Sequence, residues 1–404
     1  MAKSQLDLPA GTTTVRVRMV DTSCTLSIKA ESFISPVLPR QQYLEVTDQC
    51  FLIEHEQSGS KLMFDLGVRK DYWNLPPVVL NRLSQGVAVR SLNVPRDVPE
   101  LLAANGVALN EISAVVWSHY HWDHIGNMDL FPASTALLVG PGFKANDKVM
   151  PGYPENATSP VPSNSFTGRE LIEINFDTTH LTIGGFRAHD YFSDGSFYLL
   201  DTPGHCKGHI CALARTTAGE ESSFVFLGGD ICHSAGCFRP STIFPLTNED
   251  FRRYLCLGDC SSASKQELLS SDQTHSDGAA QREVDRPVYR ISTAPSSAYL
   301  QVEAAQDSVE KLMAFDSLPA VLVLIAHDPS LPKYLPTLNE NGSSDLNGWQ
   351  KEHWKELCRW HFLESQSHDK VAQKEPGFWR DGTLWSDASH ELAKSSAGVA
   401  GSGL

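Results

Sequence analysis

His119-Tyr120-His121-Trp122-Asp123-His124 places four metal-binding side chains within six positions. The residues before it, Ile112 to Trp117, form a short apolar run of strand length. The cluster therefore begins where a strand ends. Side chains two apart in extended backbone share a face, so His119 and His121 point the same way. Asp123 and His124 follow where the chain must turn. Neutral imidazoles and ionised carboxylates converging on one point are what a divalent cation requires.

Outward from this run, three further candidates each follow a strand-like segment, where α/β scaffolds present site residues. His205 lies in Asp201-Thr-Pro-Gly-His-Cys-Lys-Gly-His209, after Phe197 to Leu200. Asp230 closes Leu227-Gly-Gly-Asp230, after Phe224 to Leu227. His327 follows Ala320 to Ala326 and, read alone, is equally a hydrogen-bonded histidine beside the core. Jointly these residues make a set of five histidines and two aspartates.

Composition narrows the partners. The chain has 404 residues, 41% hydrophobic and 20% charged, an ordinary globular balance. Its 33 basic and 48 acidic side chains give a net charge of -15, which opposes binding to nucleic acid or anionic membrane. A small-molecule substrate is expected. The opening MAKSQLDLPAG has no apolar run of signal-peptide length, and no stretch approaches the roughly 20 apolar residues of a membrane helix. Nine cysteines, an odd number without CxxC knuckles, fit reduced cytosolic thiols, so a cytoplasmic enzyme without a separate structural zinc is expected.

Alternation over residues 14–20 predicts a strand, and Phe51–Glu54 with Lys61–Phe64 predicts a hairpin around Gln57–Ser60. Helices are predicted over 98–105 and 301–316, and a third over 346–364 with Leu346, Trp349, Leu357, Trp360 and Leu363 on one face. Strands alternating with helices indicate a layered α/β domain, assigned to residues 1–340. A C-terminal helical extension with a flexible tail is expected over 341–404. Two polar excursions interrupt the domain: 144–168, expected to contribute a lid, and 259–285, expected to be disordered.

With these motifs in order, the chain resembles the metallo-β-lactamase superfamily. The signature HxHxDH is met at 119–124, TPGHxxGH at 202–209, Gly-Asp at 229–230 and the terminal histidine at 327. The family's Asp-x-Gly has a counterpart in Asp65-Leu-Gly67, and the resemblance spans roughly residues 45–330. It implies a four-layer αβ/βα sandwich with two metal ions, zinc by default, at one edge between the sheets. By the same resemblance His119, His121 and His205 hold the first ion, Asp123, His124 and His327 the second, and Asp230 bridges them. His209, Asp65 and Gly204 fall on positions that are usually structural. Two such ions lower the pKa of a bridging water and orient it toward a carbonyl, while Asp123 aligns the nucleophile and passes its proton to the leaving group. No serine or cysteine nucleophile is needed; Cys206 and Cys232 read as small buried hydrophobes.

The presence of both Asp123 and His124 is similar to the lactonase, thioesterase and glyoxalase II branches, whereas zinc β-lactamases commonly carry a cysteine near the place of Asp230. In quorum-quenching lactonases a tyrosine three residues after the bridging aspartate donates to the substrate carbonyl. Here that place is His233, which either supplies the same hydrogen bond or faces solvent. The run 190–205 resembles fungal members that serve small-molecule metabolism, in polyketide synthesis or in degrading plant and antibiotic-like lactams. The expectation is a dinuclear zinc hydrolase that opens a lactone or lactam, with Asp123 and His233 as catalytic residues. An acyl-thioester hydrolase and a mononuclear iron sulfur dioxygenase are the alternatives. Trp117 reads as core, Trp122 as either core or pocket wall, and Tyr120 and Phe143 as candidate pocket residues.

Overall fold

The computed structural model describes residues 6–38, 41–178, 180–255, 284–366 and 377–397. Two six-stranded sheets form its centre. The first has the order Arg16–Asp21, Gln49–His55, Ser60–Phe64, Ile112–Val116, Ala136–Val139 and Leu171–Glu173. The second runs Thr182–Ile183, Phe186–Asp190, Phe197–Asp201, Ile210–Thr217, Ser223–Leu227 and Val321–Leu324. Strands such as Ser223–Leu227 are buried on both faces, which is why they read as continuous apolar runs rather than alternation.

The sheets face each other through Phe51, Ile53, Phe64 and Val116 on one side and Leu199, Ala212, Val225 and Leu324 on the other. The outer face of the first sheet, including Leu52, Met63 and Val115, is covered by Leu101 and Leu102 of the helix Val98–Ala104. That helix starts where the sequence signals it, with Asp97 accepting from the Glu100 backbone N–H at 3.2 Å. On the second sheet, Leu213, Phe226 and Val323 pack against Val309, Leu312 and Phe315 of the helix Val302–Asp316. Helix, sheet, sheet and helix thus form the expected four-layer sandwich. Each fully buried side chain of this kind contributes roughly 1.5–3 kcal/mol of transfer free energy.

Three features differ from the sequence-based reading or were not part of it. Residues 346–364 are not one helix: only Trp354–Cys358 is α-helical, followed by the 3-10 turn His361–Gln366. Leu346 donates its N–H to Val17 O and the Trp349 indole donates to Thr216 Oγ1, so this stretch follows the edge of the sandwich, and His353 breaks it with a φ of 56°. A three-stranded sheet, ordered Tyr43–Val46, Thr25–Lys29 and Val89–Asn93, and the helix Pro77–Ser84 carried no signal strong enough to be read. The 144–168 excursion is packed down, with Val149, Val161 and Phe166 buried in the outer core. Of the 259–285 excursion, 259–283 lie outside the described residues.

The C-terminal region is tied to the sandwich by buried polar contacts. The Lys355 ammonium donates to the carbonyls of Asp316, Leu318 and Val321, each at 2.6 Å. Asp316 in turn accepts from Arg239 at 2.7 and 3.0 Å. The helix Ala388–Ala397 packs on Pro77–Ser84, and the Tyr72 hydroxyl donates to Trp379 O at 2.8 Å. Lys355→Met keeps the side-chain length but leaves three carbonyls without their donor. It is expected to cost about 2–4 kcal/mol of stability, read as a lower urea midpoint; an unchanged midpoint would show that the three contacts add nothing.

Candidate metal centre

Every candidate ligand lies on a turn that follows a strand. His119 to His124 follow Ile112–Val116, His205 follows Phe197–Asp201, Asp230 follows Ser223–Leu227, and His327 follows Val321–Leu324. Two glycines allow these turns to close on each other. Gly229 has a φ of +48°, and a Cβ there would lie 2.8 Å from the Ser118 side chain. Gly204 has a φ of +131°, and a Cβ would lie 2.1 Å from the Ala305 backbone N.

The turns bring all seven predicted ligands together. His119, His121, His205 and Asp230 offer donor atoms that lie within 4.8 Å of one another, and so do Asp123, His124 and His327. Asp230 stands between the groups. Its Oδ2 is 3.5 Å from His119 Nε2 and 3.3 Å from His205 Nε2, while its Oδ1 is 3.1 Å from His124 Nε2 and 3.0 Å from His327 Nε2. His121 Nδ1 faces His205 Nε2 at 2.9 Å, and Asp123 Oδ2 is 3.8 Å from His327 Nε2.

Hydrogen bonds behind the ring fix which nitrogen points inward. His124 Nδ1 donates to Asp65 Oδ2 at 2.9 Å, and His327 Nδ1 donates to Thr47 O at 2.8 Å. Ser118 Oγ donates to Asp65 Oδ2 at 2.7 Å and can then accept from His119 Nδ1 at 3.0 Å. Each of these three rings therefore keeps Nδ1–H and turns Nε2 to the centre, the arrangement by which carboxylates and carbonyls orient metal-binding imidazoles. Asp65 is the shared anchor and also accepts from the Ser118 backbone N–H at 2.6 Å. It holds this position with a φ of 60°, a conformation costly for a non-glycine residue and tolerated best by Asp and Asn. His209 is structural, as expected: Nδ1 donates to Thr202 O at 3.1 Å, and Nε2 accepts from the Asp230 backbone N–H at 3.0 Å.

The electrostatics suit cations. Burial alone would raise the Asp230 carboxyl, but His124, His233 and His327 outweigh it and hold it well below the usual range. Burial, with added repulsion from neighbouring imidazoles, keeps His119 and His205 well below 6.5 and lowers His121 to about 3. These three are neutral, the form that binds a metal. For His124 and His327 burial acts the same way, but Asp230 together with Asp65 or Asp48 outweighs it and raises both. Burial also pushes Asp123 up to about 6. His119 Nε2, His124 Nε2 and Asp230 Oδ1 are buried with no hydrogen-bond partner. Orphaned polar atoms that converge are what bound cations would satisfy, so the donor set fits two divalent ions.

His233 is 3% exposed, so the solvent-facing alternative does not hold. Its Nε2 lies 3.1 Å from Asp230 Oδ2 and its Nδ1 lies 2.9 Å from the Tyr299 hydroxyl. Tyr299, Thr47, Asp48 and Ser118 were missed from the sequence, because none sits in a recognisable motif. Cys206 and Cys232 are buried and unpaired, and burial raises both thiols, which makes them poor nucleophiles. Trp117 is fully buried in a T-shaped contact with buried Phe143, so both are core rather than pocket. Tyr120 and Trp122 line a cavity of about 780 Å³ that opens onto the ligand cluster. Its far wall is apolar, with Leu26, Ile28, Val46, Val79, Leu83 and Val89, and Lys148, Thr158 and Pro160 reach it from the 144–168 excursion.

Residues 47–216 match the family model described as the metallo-beta-lactamase superfamily. Over 366 residues, 88% of this chain, it is 38% identical to Gamma-lactamase FDB1 of Fusarium pseudograminearum, 83% of which is covered. The chain belongs to the metallo-beta-lactamase superfamily. It is a metal-dependent hydrolase. Metallo-hydrolase mfmC of Annulohypoxylon moriforme is 36% identical over 363 residues, covering 88% of this chain and 89% of that protein. Gamma-lactamase MBL2 of Gibberella moniliformis is 43% identical over 253 residues, 62% of this chain and the whole of that protein. No helix among the described residues is long and apolar enough to cross a membrane.

Membership makes the Asp65 anchor testable. Asp65→Asn retains size and tolerance for positive φ but, with one side-chain oxygen, cannot accept from both His124 Nδ1 and the Ser118 backbone N–H, which reach different oxygens of Asp65. A loss of about 10–100-fold in divalent-metal affinity is expected, measured by competition with a chromogenic chelator. Affinity equal to that of the unaltered protein would show that the anchor does not act on the ligands.

Proposed function

We propose that the chain is a dinuclear zinc hydrolase that opens a cyclic ester or amide of a largely apolar small molecule. The observation that carries this reading is the juxtaposition of five imidazoles and two carboxylates with a large apolar-walled cavity. In this reading His119, His121 and His205 hold one ion, Asp123, His124 and His327 hold the other, and Asp230 is shared. When bound, the ions supply Lewis acidity and a water ionised near neutral pH.

The remaining work falls to the chain itself. Asp123 is half-buried at the cavity floor, so its carboxylate reaches both the water and the substrate. It aligns the nucleophile and carries the proton to the departing oxygen or nitrogen. His233 lines the same floor and donates a hydrogen bond to the carbonyl oxygen as charge develops there. The apolar wall takes the body of the substrate and excludes water from it. The naming of two relatives as gamma-lactamases favours a lactam or lactone over a thioester, and the net charge of -15 disfavours an acidic carrier protein as the acyl donor.

Asp123→Ala and His121→Ala are expected to abolish hydrolysis while leaving the far-ultraviolet circular dichroism unchanged. Wild-type turnover in either would overturn the site. His233→Ala is expected to lose about 10²-fold in kcat, less than either ligand variant; equal losses would contradict an assisting role. The function itself is tested by incubating zinc-loaded protein with panels of lactones, γ-lactams and acyl thioesters and following the gain of one water by mass spectrometry. Ring-opened products and about two zinc per chain by elemental analysis are expected; a single iron with oxygen consumption would replace this reading with dioxygenase chemistry.

A further inference from the structure

His233 differs from the candidate ligand histidines in what stands behind it. His119, His124 and His327 each have an acceptor at Nδ1: a serine hydroxyl oxygen, a carboxylate and a carbonyl. His233 has a hydroxyl instead, that of Tyr299 at 2.9 Å. The Tyr299 hydroxyl proton has no acceptor among the described residues other than His233 Nδ1. If Nδ1 carried hydrogen, the phenol proton would be left buried and unpaired, since Tyr299 is 3% exposed. The opposite tautomer satisfies both groups: Tyr299 donates, Nδ1 accepts, and Nε2 carries the hydrogen.

We propose that Tyr299 is a positioning residue that locks His233 as the Nε2–H tautomer, so that His233 acts as a hydrogen-bond donor beside the metal centre and not as an eighth ligand. The distinction matters because His233 Nε2 is as close to Asp230 as the ligand nitrogens are, and Asp230, His233 and His327 also form a geometrically permissible metal-binding trio. A ligand needs a bare nitrogen; a nitrogen bearing hydrogen can only donate. Packing on both sides restrains the ring from turning to exchange its nitrogens. The ring is stacked on His327 with centroids 5.1 Å apart and packed against Phe33 at 4.4 Å. Tyr299 is fixed in turn by its loop, where Leu300 N donates to His205 O at 3.0 Å and Gln301 N donates to Gly204 O at 2.9 Å. The same backbone that carries His205 therefore sets the tautomer of His233. The donor role toward a substrate carbonyl rests on the hydrolase reading above; the tautomer does not.

The test separates the two. In protein labelled with ¹⁵N at histidine, the His233 imidazole is identified by its loss in His233→Gln, before and after zinc loading. Hydrogen on Nε2 with a bare Nδ1 is expected in both states, and a mixture of tautomers is expected in Tyr299→Phe. With a substrate that is turned over, Tyr299→Phe is expected to lower kcat about 3–10-fold, part of the effect of losing one oxyanion donor, with KM and zinc content unchanged. In the His233→Gln background, whose amide cannot tautomerise, the same change should have no further effect. A His233 Nε2 that is bare or zinc-bound in the unaltered protein overturns the proposal, as does a tautomer indifferent to Tyr299→Phe. Should no lactone, lactam or thioester be opened, the hydrolase reading fails while the spectra still decide the tautomer. If Tyr299→Phe does not fold, the spectra of the unaltered protein carry the decision alone.

Discussion

Asp230 is a carboxylate 1% exposed, with nitrogens of His119, His124, His205, His233 and His327 all within 3.5 Å. An ionised carboxylate taken out of water costs several kcal/mol unless it is compensated. Here the compensation comes from His124, His233 and His327, carried by three separate turns, so the charge can be buried only if both sheets are aligned. The sandwich therefore does more than enclose a core. It sets the relative height of the strand ends, and Gly229 and Gly204 remove the side chains that would keep those ends apart. The buried partners behind the rings, Asp65, Thr47 and Ser118, then decide which atom each ring presents.

How much of this was legible in the sequence follows from how local each signal is. A motif such as His119 to His124 encodes several ligands in one turn, and its spacing survives without knowledge of the fold. The candidate ligands at 205, 230 and 327 were legible because each follows an apolar run, and an apolar run is legible because both faces of its strand are buried. The small sheet formed by 25–29, 43–46 and 89–93 was not. Its strands mix buried and half-exposed positions without a sustained period, and their pairing joins segments far apart in the chain. The 346–364 stretch failed for the opposite reason. Its apolar residues do recur near a helical spacing, but Leu346 and Trp349 are buried in the core between the sheets, Trp360 and Leu363 in the core on the outer side of the second sheet, and Leu357 is 39% exposed. Burial there is imposed by tertiary contacts along an irregular path, which periodicity cannot distinguish from a helix.

Tyr299 shows the limit most clearly. It directly follows a Ser, Pro and Ala-rich segment, Ser292 to Ala298, that reads as an ordinary loop. What gives it consequence is the docking of that loop on the backbone of His205 and Gly204. A residue that acts by orienting another leaves no spacing of its own, because its partner is chosen by the fold and not by chain distance.

The same division separates chemistry from selectivity. The candidate metal-ligating residues lie just after strands of the two large sheets, the part of the chain that matches the family model or closes its motif set. The apolar wall facing them is built from the small sheet, the helix Pro77–Ser84 and the 144–168 excursion. These elements are attached to the sandwich without contributing to the ligand set. Substitutions in Leu26, Ile28, Val79 or Leu83 can therefore reshape the cavity while leaving the charge balance around Asp230 intact. A candidate metal centre fixed by buried electrostatics, faced by a wall held mainly through apolar packing, allows the cavity to change without rebuilding the ligand set. The reverse change is far harder, since removing His124, His233 or His327 leaves the buried carboxylate less compensated.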